Sequence, residues 1–205
     1  MRCDNHRGGA VPREYKAPPG GESIAMKQLF VCCTGFLLAA TALIAQQRPM
    51  ASPPATASVS IGGKTITINY NSPRVRGREG HIFTSDGLIS HDPHYPVWRG
   101  GANAATTLKT DADLTVGDLN VPVGTYTLFV DISDPAHWVL IVSKATGEWG
   151  LAYDSTKDLG RTAMTTTAAP LLEDLTYTIV DNGGGKGTLT LAWEDVSASV
   201  PIQVH

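Results

Sequence analysis

The stretch TYTLFVDISDPAHWVLIVS, residues 125–143, contains the two segments that decide the fold class of this chain. Its halves, TYTLFVDI at 125–132 and WVLIVS at 138–143, are rich in the β-branched and aromatic residues that favour strands. Asp134-Pro135 between them is a typical turn signal. Because neither half repeats its apolar residues with a helical period, the stretch predicts two strands joined by a turn.

Segments of the same kind extend outward from this stretch in both directions. Val59 and Ile61 alternate with serines, and the turn Gly62-Gly63 follows, which predicts a hairpin with the next segment. The remaining strand-like segments lie at 66–70, 106–110, 114–116, 119–121, 161–167, 174–180, 187–193 and 197–204. We therefore predict an all-β domain, an antiparallel β-sandwich of about nine or ten strands, with a jelly roll as one variant.

The composition agrees with a turn-rich β protein and limits its partners. Gly and Pro number 21 and 13 of 205 residues, and only 17% of the residues are charged. From Gln46 onward, 11 Lys and Arg face 16 Asp and Glu, which leaves this part of the chain near −5. Because an acidic domain repels phosphate backbones, we expect no nucleic-acid partner. All three cysteines precede Gln46, so the later residues have no thiol chemistry, and we expect no cofactor.

An uncharged apolar run at residues 29–45, preceded by Lys27, has the features of a secretory signal. We predict a signal peptide at 26–45, with cleavage after Ala42 or Ala45, and an exported protein in the periplasm or outside the cell. The alternative is a retained anchor. Since a run of 17 residues is at the lower limit for a bilayer span, we expect no membrane span after cleavage.

The signal divides the chain into regions of different composition. Residues 1–25 are polar and aperiodic, and we predict either a disordered extension or a misassigned start upstream of Met26. Residues 46–56 are predicted to form a Pro-rich leader. Residues 57–205 are predicted to form the β-sandwich domain.

Residues 71–104 lack a strand pattern and are long for a connection, a property typical of functional loops. Their motifs SPRVRGR at 72–78 and WRGGANAAT at 98–106, together with GTYTLF at 124–129 and Trp149-Gly150 followed by Tyr153, resemble the bacterial family called domain of unknown function 2911. The resemblance spans about residues 52–204. It implies an exported β-rich domain with no established activity. The chain departs from the family pattern at 90–96, so the resemblance supports no role for the histidines there.

The basic and aromatic residues of this long loop are the candidate ligand site. Guanidinium groups bind carboxylates, phosphates or vicinal hydroxyls through paired hydrogen bonds, and an indole offers a stacking face. In an extended backbone, the alternating residues Arg74, Arg76 and Arg78 would point to one side. The alternative is structural: Arg99 or Arg78 forms an ion pair across the sandwich and holds the loop in place. The predicted ligand-binding residues are Arg76, Arg78, Trp98, Arg99 and Asn103.

A metal site is a weaker hypothesis in the same loop. His81, His91, Asp92 and His94 are ligand types that suit zinc. The spacing of two histidines around Pro93 is not that of a helical metal motif, and the alternative is that they are ordinary loop histidines.

Other aromatic and polar residues have open interpretations. Trp138 and Trp193 lie in strand patterns and are predicted to be core residues, whereas Trp98 and Trp149 are compatible with either core or ligand contact. The polar residues Tyr153, Asp154, Asp158 and Arg161 are predicted to stabilise the Trp149-Gly150 turn, with an acid/base pair as the alternative.

The sequence is compatible with three kinds of function. We favour a non-enzymatic exported module that binds a small polar or carbohydrate-like ligand, or a component of the cell envelope. The alternative is a secreted hydrolase, assisted by a metal held at His81, His91, Asp92 and His94. A structural envelope protein without a small-molecule site is the third. These hypotheses differ in whether the arginines, Asn103 and the histidines converge on one cleft.

Overall fold

The computed structural model describes residues 50–205, and the predictions for 1–25, for 26–45 and for 46–49 of the leader lie outside this part of the chain. Strands predominate, with two 3-10 helices at Ile89–His91 and Ser155–Lys157. The strands are β1 (Pro54–Ile61), β2 (Lys64–Asn71), β3 (Val97–Trp98), β4 (Thr106–Thr110), β5 (Leu114–Val116), β6 (Leu119–Val121), β7 (Gly124–Asp131), β8 (Val139–Ser143), β9 (Asp158–Ala163), β10 (Thr165–Gly183) and β11 (Lys186–Val204).

These strands form two antiparallel sheets. The larger has seven strands in the order β1-β2-β4-β7-β8-β9, with β3 paired to β7, and the smaller has four in the order β10-β11-β5-β6. The predicted antiparallel β-sandwich is confirmed, with eleven strands in residues 50–205. Neighbours in the larger sheet follow chain order, an arrangement simpler than the two Greek keys of a jelly roll.

The two longest strands differ most from the sequence interpretation. β10 and β11 have 19 residues each, and the predicted strands 187–193 and 197–204 both belong to β11. Their pairing shifts in register around Leu172 and Glu194. Such a bulge interrupts the alternation of side chains without ending the strand, so one strand looks like two in the sequence.

One hydrophobic core lies between the sheets. Ile68 of β2, Leu128 of β7, Leu175 of β10 and Leu189 of β11 are all buried there. Side chains of a strand point alternately to its two faces, so every second side chain of each strand points into this core.

The tryptophans have different environments. Trp138 and Trp193 are buried, as predicted, and Trp98 is buried with them. All three contact the ring of Phe83 from the long loop, with ring centroids 4.9 to 5.8 Å apart. Trp149 is 58% exposed. The contacts of Phe83 with the three buried tryptophans anchor the middle of the long loop in the core.

The N-terminal boundary of the domain lies earlier than predicted. β1 begins at Pro54, inside the segment 46–56 that the composition assigned to an unpatterned leader. β1 is at the edge of its sheet, where proline is tolerated because an edge strand leaves some N–H positions unpaired. Pro53 accepts a hydrogen bond from the backbone N–H of Ser72, which ties the leader to the end of β2.

The connection from β2 to β4 contacts β10 of the smaller sheet, where Val75 N–H donates to Glu173 O at 2.9 Å. It contains only β3 and the helix Ile89–His91 as regular structure. Its own residues Ile82 and Ile89 are buried in the core, so hydrophobic packing orders this connection although it has little regular structure. No helix within residues 50–205 is long and apolar enough to cross a membrane.

Candidate ligand-binding site

A cavity of about 290 Å³ opens where the long loop, the residues before β1 and the strand β11 meet. We call it the arginine pocket. Its polar lining includes Arg74, Arg76, Arg78, Asp92, Arg99, Asn103 and Ser52, and its apolar lining includes Leu88, Ile89, Trp98 and Trp193. The five residues predicted to bind a ligand thus line one cavity, and Arg74 joins them.

The floor of the pocket is aromatic. The indoles of Trp98 and Trp193 stack with their centroids 5.9 Å apart and an interplanar angle of 20°. Trp193 donates its Nε1–H to the backbone carbonyl of Glu173 at 3.2 Å, so its polar atom is satisfied. Each indole is only 2% exposed, so the two rings close the bottom of the cavity, and the guanidinium groups above them are the donors that a ligand can reach.

The backbone that carries Arg74, Arg76 and Arg78 is a turn, so the extended arrangement in which these side chains would point to one side does not occur. Arg76 and Gly77 have φ angles of 53° and 69°, both in the left-handed region. The backbone N–H of Arg78 donates to the carbonyl of Val75 at 3.2 Å, which closes the turn. Glycine adopts this conformation without steric cost, and it allows the chain to reverse before the loop continues.

The guanidinium groups of this turn are held mainly by backbone carbonyls. Arg78 donates from Nε to Val75 O at 2.9 Å and from Nη2 to Arg74 O at 2.6 Å. Arg76 donates from Nη2 to Ala51 O at 3.3 Å. These acceptors are neutral, so the hydrogen bonds orient the two side chains without cancelling their charge.

Arg74 is in a different state from its two neighbours. Its Nε donates to Asp174 Oδ1 of β10 at 2.7 Å, which is an ion pair between the loop and the smaller sheet. Both side chains are about half exposed, so this pair contributes little to stability. The structural alternative proposed for Arg78 and Arg99, an ion pair across the sandwich, applies instead to Arg74.

Arg99 is the most enclosed cation of the pocket. Its Nη2 donates to Asp92 Oδ1 at 3.0 Å, and both side chains are less than one-fifth exposed. The Nε atom of Arg99 is buried and has no hydrogen-bond partner within residues 50–205. Gly150 packs directly on this side chain, because a Cβ at Gly150 would lie 2.6 Å from Arg99 Cδ. The Trp149-Gly150 turn therefore packs against the aliphatic part of the Arg99 side chain.

Asn103 is an exposed residue of the pocket lining and lies next to the same turn. Its backbone has a φ of 57°, a conformation that asparagine tolerates better than most residues, and its Nδ2 donates to Ser52 O at 3.4 Å. Its backbone carbonyl accepts the N–H of Gly150 at 3.2 Å. The same turn thus positions both Arg99 and Asn103.

Two glutamates of the long hairpin hold the arginine turn in place. Glu173 of β10 accepts the backbone N–H of Arg76 at 3.1 Å, and its carbonyl accepts the N–H of Val75 at 2.9 Å. Glu194 of β11 accepts the backbone N–H of Gly80. Both glutamates lie at the irregular part of the β10–β11 pairing, so the bulge turns them towards the loop.

The candidate metal ligands do not form a cluster. His81, His91 and His94 are exposed and lie outside the pocket lining, and Asp92 is turned towards Arg99. Across residues 50–205, no group of three or more His, Cys, Asp or Glu side chains is arranged to hold a metal ion. The hydrolase alternative has no geometric support from these residues.

The second polar cluster is a separate network on the outer face of the larger sheet. Tyr153 donates its hydroxyl to Asp158 Oδ2 at 2.9 Å and accepts from Arg161 Nη2 at 2.6 Å. The ring of Tyr153 covers Phe129, with centroids 4.8 Å apart. Burial and the neighbouring Asp158 carboxylate raise the pKa of Tyr153 to about 12, so its hydroxyl stays protonated at neutral pH. Packing, more than acid/base chemistry, explains this cluster.

Several pocket residues were not among the predicted ligand-binding set. These residues include Arg74, Asp92, which the sequence suggests only as a metal ligand, and Trp193, which its strand pattern assigns to the core. Ser52 lies in the predicted leader. No local pattern places Ser52 or Trp193 beside the loop, because their approach depends on the packing of the two sheets.

The comparisons with known proteins agree with the resemblance noted in the sequence. No curated protein and no solved structure matches the chain at the threshold of the search. The family described as Protein of unknown function (DUF2911) matches residues 52–202, a range that contains every residue of the arginine pocket except Ala51. Because this match covers most of the chain, the protein belongs to the DUF2911 family.

Proposed function

We propose that this protein is an exported, non-enzymatic module that binds a small polar ligand in the arginine pocket. The observation that carries the proposal is the convergence of Arg76, Arg78, Trp98, Arg99 and Asn103 on one cavity. Residues separated along the chain by up to 27 positions supply charged donors, an amide and an indole face to the same space.

The size of the cavity supports a small ligand over a polymer. Its volume of about 290 Å³ is at the lower end of the range of ligand pockets, about 300–1,000 Å³. A free metabolite, or the terminal group of a cell-envelope component, fits a cavity of this size.

The chemistry of the lining supports binding. The one carboxylate in the lining, Asp92, is engaged by Arg99 at 3.0 Å. A catalytic pair of carboxylates, or a nucleophile with an adjacent base, would require further groups that the lining residues do not supply. Binding and release of a ligand need only the donors and the aromatic floor.

A thermal-shift screen of the purified protein tests this proposal. The panel contains glucose, N-acetylglucosamine, glucuronate, glucose 6-phosphate, succinate, succinamide, benzoate and benzamide. We expect at least one compound to raise the melting temperature, because a ligand that binds only the folded state stabilises it. Arg99→Ala and Asn103→Ala should abolish that shift.

The matched control is Lys109→Ala, which removes an exposed cation of β4 outside the pocket and should leave the shift unchanged. If Arg99→Ala and Asn103→Ala lower the melting temperature of the free protein but keep the ligand-induced shift, these residues are structural and the proposal is wrong.

A further inference from the structure

We infer that the ligand of the arginine pocket is an organic oxyanion, a molecule that joins a carboxylate or phosphate group to an apolar or ring-shaped body. This inference rests on the proposed function and specifies its ligand class. It follows from the distribution of charge in the lining, from the burial and pairing of Arg99, and from the apolar residues of the lining.

The charge in the lining is strongly unbalanced. Four arginines and one carboxylate line the cavity, although the whole chain has a formal net charge of −3. Arg74 is paired with Asp174 and Arg99 with Asp92. Among residues 50–205, Arg76 and Arg78 form no ion pair with any acidic side chain, and Glu173 contacts the backbone N–H of Arg76.

Concentrated positive charge in an acidic domain has an electrostatic cost. Like charges that share a small space repel each other, and the repulsion is strongest where water is partly excluded. The neutral carbonyls that hold Arg76 and Arg78 orient the guanidinium groups but leave that repulsion in place. An oxyanion in the cavity removes it, so the pocket is electrostatically complementary to a negative ligand.

Arg99 adds a mostly buried cation to this arrangement. Its Nη2 is engaged by Asp92, whereas its buried Nε has no hydrogen-bond partner in the described part of the chain. A guanidinium presents its donors in a rigid planar fork that matches the geometry of a carboxylate or phosphate. The part of the Arg99 side chain that remains accessible, 15% of its surface, can donate to an oxyanion in the cavity, whereas the buried Nε cannot be reached from it.

The floor of the pocket distinguishes an organic anion from a bare inorganic one. The accessible apolar surface of the lining belongs mainly to Leu88, which is 38% exposed, while Trp98, Trp193 and Ile89 lie behind it with only 2–3% of their surface exposed. An inorganic phosphate would engage the guanidinium groups and leave this surface uncovered. A ring or short hydrocarbon body attached to the anionic group contacts it and adds binding free energy in proportion to the apolar area buried.

Matched pairs of probes test the inference by isothermal titration calorimetry on the purified protein. The pairs are glucuronate with glucose, glucose 6-phosphate with glucose, succinate with succinamide, and benzoate with benzamide, with inorganic phosphate as the bare anion. We expect the anion of at least one pair to bind at least about tenfold more tightly than its neutral partner, because hydrogen bonds to a charged acceptor are stronger than those to a neutral one. The same anion should bind more tightly than inorganic phosphate.

Arg76→Gln is the diagnostic variant, since this side chain is exposed and its one side-chain hydrogen bond goes to Ala51 O. It should weaken binding of the anion about tenfold without changing the melting temperature of the free protein. Arg76→Lys keeps the charge and should restore part of the affinity. Lys109→Gln removes a cation outside the pocket and should have no effect on binding.

The outcomes separate this inference from the proposed function. If a neutral member binds as tightly as its anion, and Arg76→Gln leaves that binding unchanged, the anion inference is overturned while the binding function stands. If no compound of the wider panel binds, both are overturned. If inorganic phosphate binds as tightly as every organic anion, the pocket recognises the anionic group alone and the role of the apolar lining is overturned.

Discussion

Glu194 combines two features that are unusual in one residue of a β-strand. Its backbone φ of 56° lies in the left-handed region, which is rare for a residue with a side chain, and the residue is only 3% exposed. Its carboxylate accepts the N–H of Gly80, so the strained position holds the far end of the arginine turn. Local strain of this kind is commonly retained next to functional sites.

The ionisation of Glu194 predicts a pH-dependent stability. Burial raises the pKa of this carboxyl group, and the carboxylates of Asp195 and Glu79 raise it further. The folded protein therefore binds this proton more tightly than the unfolded chain does. The stabilisation is complete below the ordinary glutamate pKa of about 4.3 and is lost as the pH rises through the raised value.

We expect Glu194→Gln to remove this dependence, because glutamine still accepts the N–H of Gly80 but does not ionise. Measured by urea unfolding from about pH 4 to about pH 8, the free energy of unfolding of the variant should rise relative to that of the wild type. Glu148→Gln, at an exposed position, is the control and should follow the wild type. Parallel curves for Glu194→Gln and the wild type would contradict the prediction.

The hydrogen bonds of Tyr153 on the outer face of the larger sheet predict a measurable contribution to the free energy of unfolding. Tyr153→Phe keeps the ring on Phe129 but removes the hydroxyl that joins Asp158 and Arg161. We expect a loss of about 1–3 kcal/mol in the free energy of unfolding at neutral pH, since the hydroxyl bonds to charged partners. Tyr95→Phe, at a residue 38% exposed, should change it by less than about 0.5 kcal/mol. Equal effects of the two variants would show that the network contributes nothing.

At the scale of elements, the β10–β11 hairpin has two functions. Its middle part closes the core, and its irregular part presents Glu173 and Glu194 to the arginine turn. The local alternation of residues 174–180 and 187–193 indicated the first function correctly. The sequence does not indicate the second function, because a bulge changes which face of the sheet a side chain occupies and leaves no mark in the residue types.

Two leucines of β10 separate core packing from surface exposure. Leu175 is fully buried and Leu171, four residues earlier, is 57% exposed. Leu175→Ala should cost about 2–5 kcal/mol in the free energy of unfolding, because it removes buried apolar area and leaves a cavity. Leu171→Ala should change it by less than about 0.5 kcal/mol. Denaturant unfolding of both variants checks this, and a large effect at Leu171 would mean that its surface is covered in solution.

The short turns were the most predictable elements. The Gly62-Gly63 turn between β1 and β2, and the Gly117 turn between β5 and β6, lie where glycine in the sequence indicated them, and these glycines have positive φ angles. The two-residue strand β3 was missed, because a strand of this length has no periodicity to detect.

At the scale of the whole molecule, export is a prediction that depends on residues 26–45. We expect bacterial expression of the full chain to yield a secreted protein whose N-terminus follows Ala42 or Ala45, because an apolar run after a positive residue directs secretion. Intact-mass measurement of the periplasmic or culture fraction checks the cleavage. An uncleaved chain recovered with the membranes would instead support a retained anchor.

The sequence by itself determined the fold class and singled out five of the residues that line the arginine pocket. Alternation of apolar side chains is a local property with a period of two, so segments such as 106–110 and 125–132 indicated strands without knowledge of their neighbours. The density of arginine, tryptophan and asparagine in the long loop similarly pointed to Arg76, Arg78, Trp98, Arg99 and Asn103, all of which line the pocket.

Only the tertiary structure decided how these residues meet and what completes the site. Arg74 pairs with Asp174, 100 positions away along the chain, and Glu173 and Glu194 reach the arginine turn from comparable distances. The left-handed backbone at Arg76 reverses the chain where alternation suggested an extended segment. These contacts depend on how two sheets pack and where one hairpin bulges, and no local period of the sequence records either.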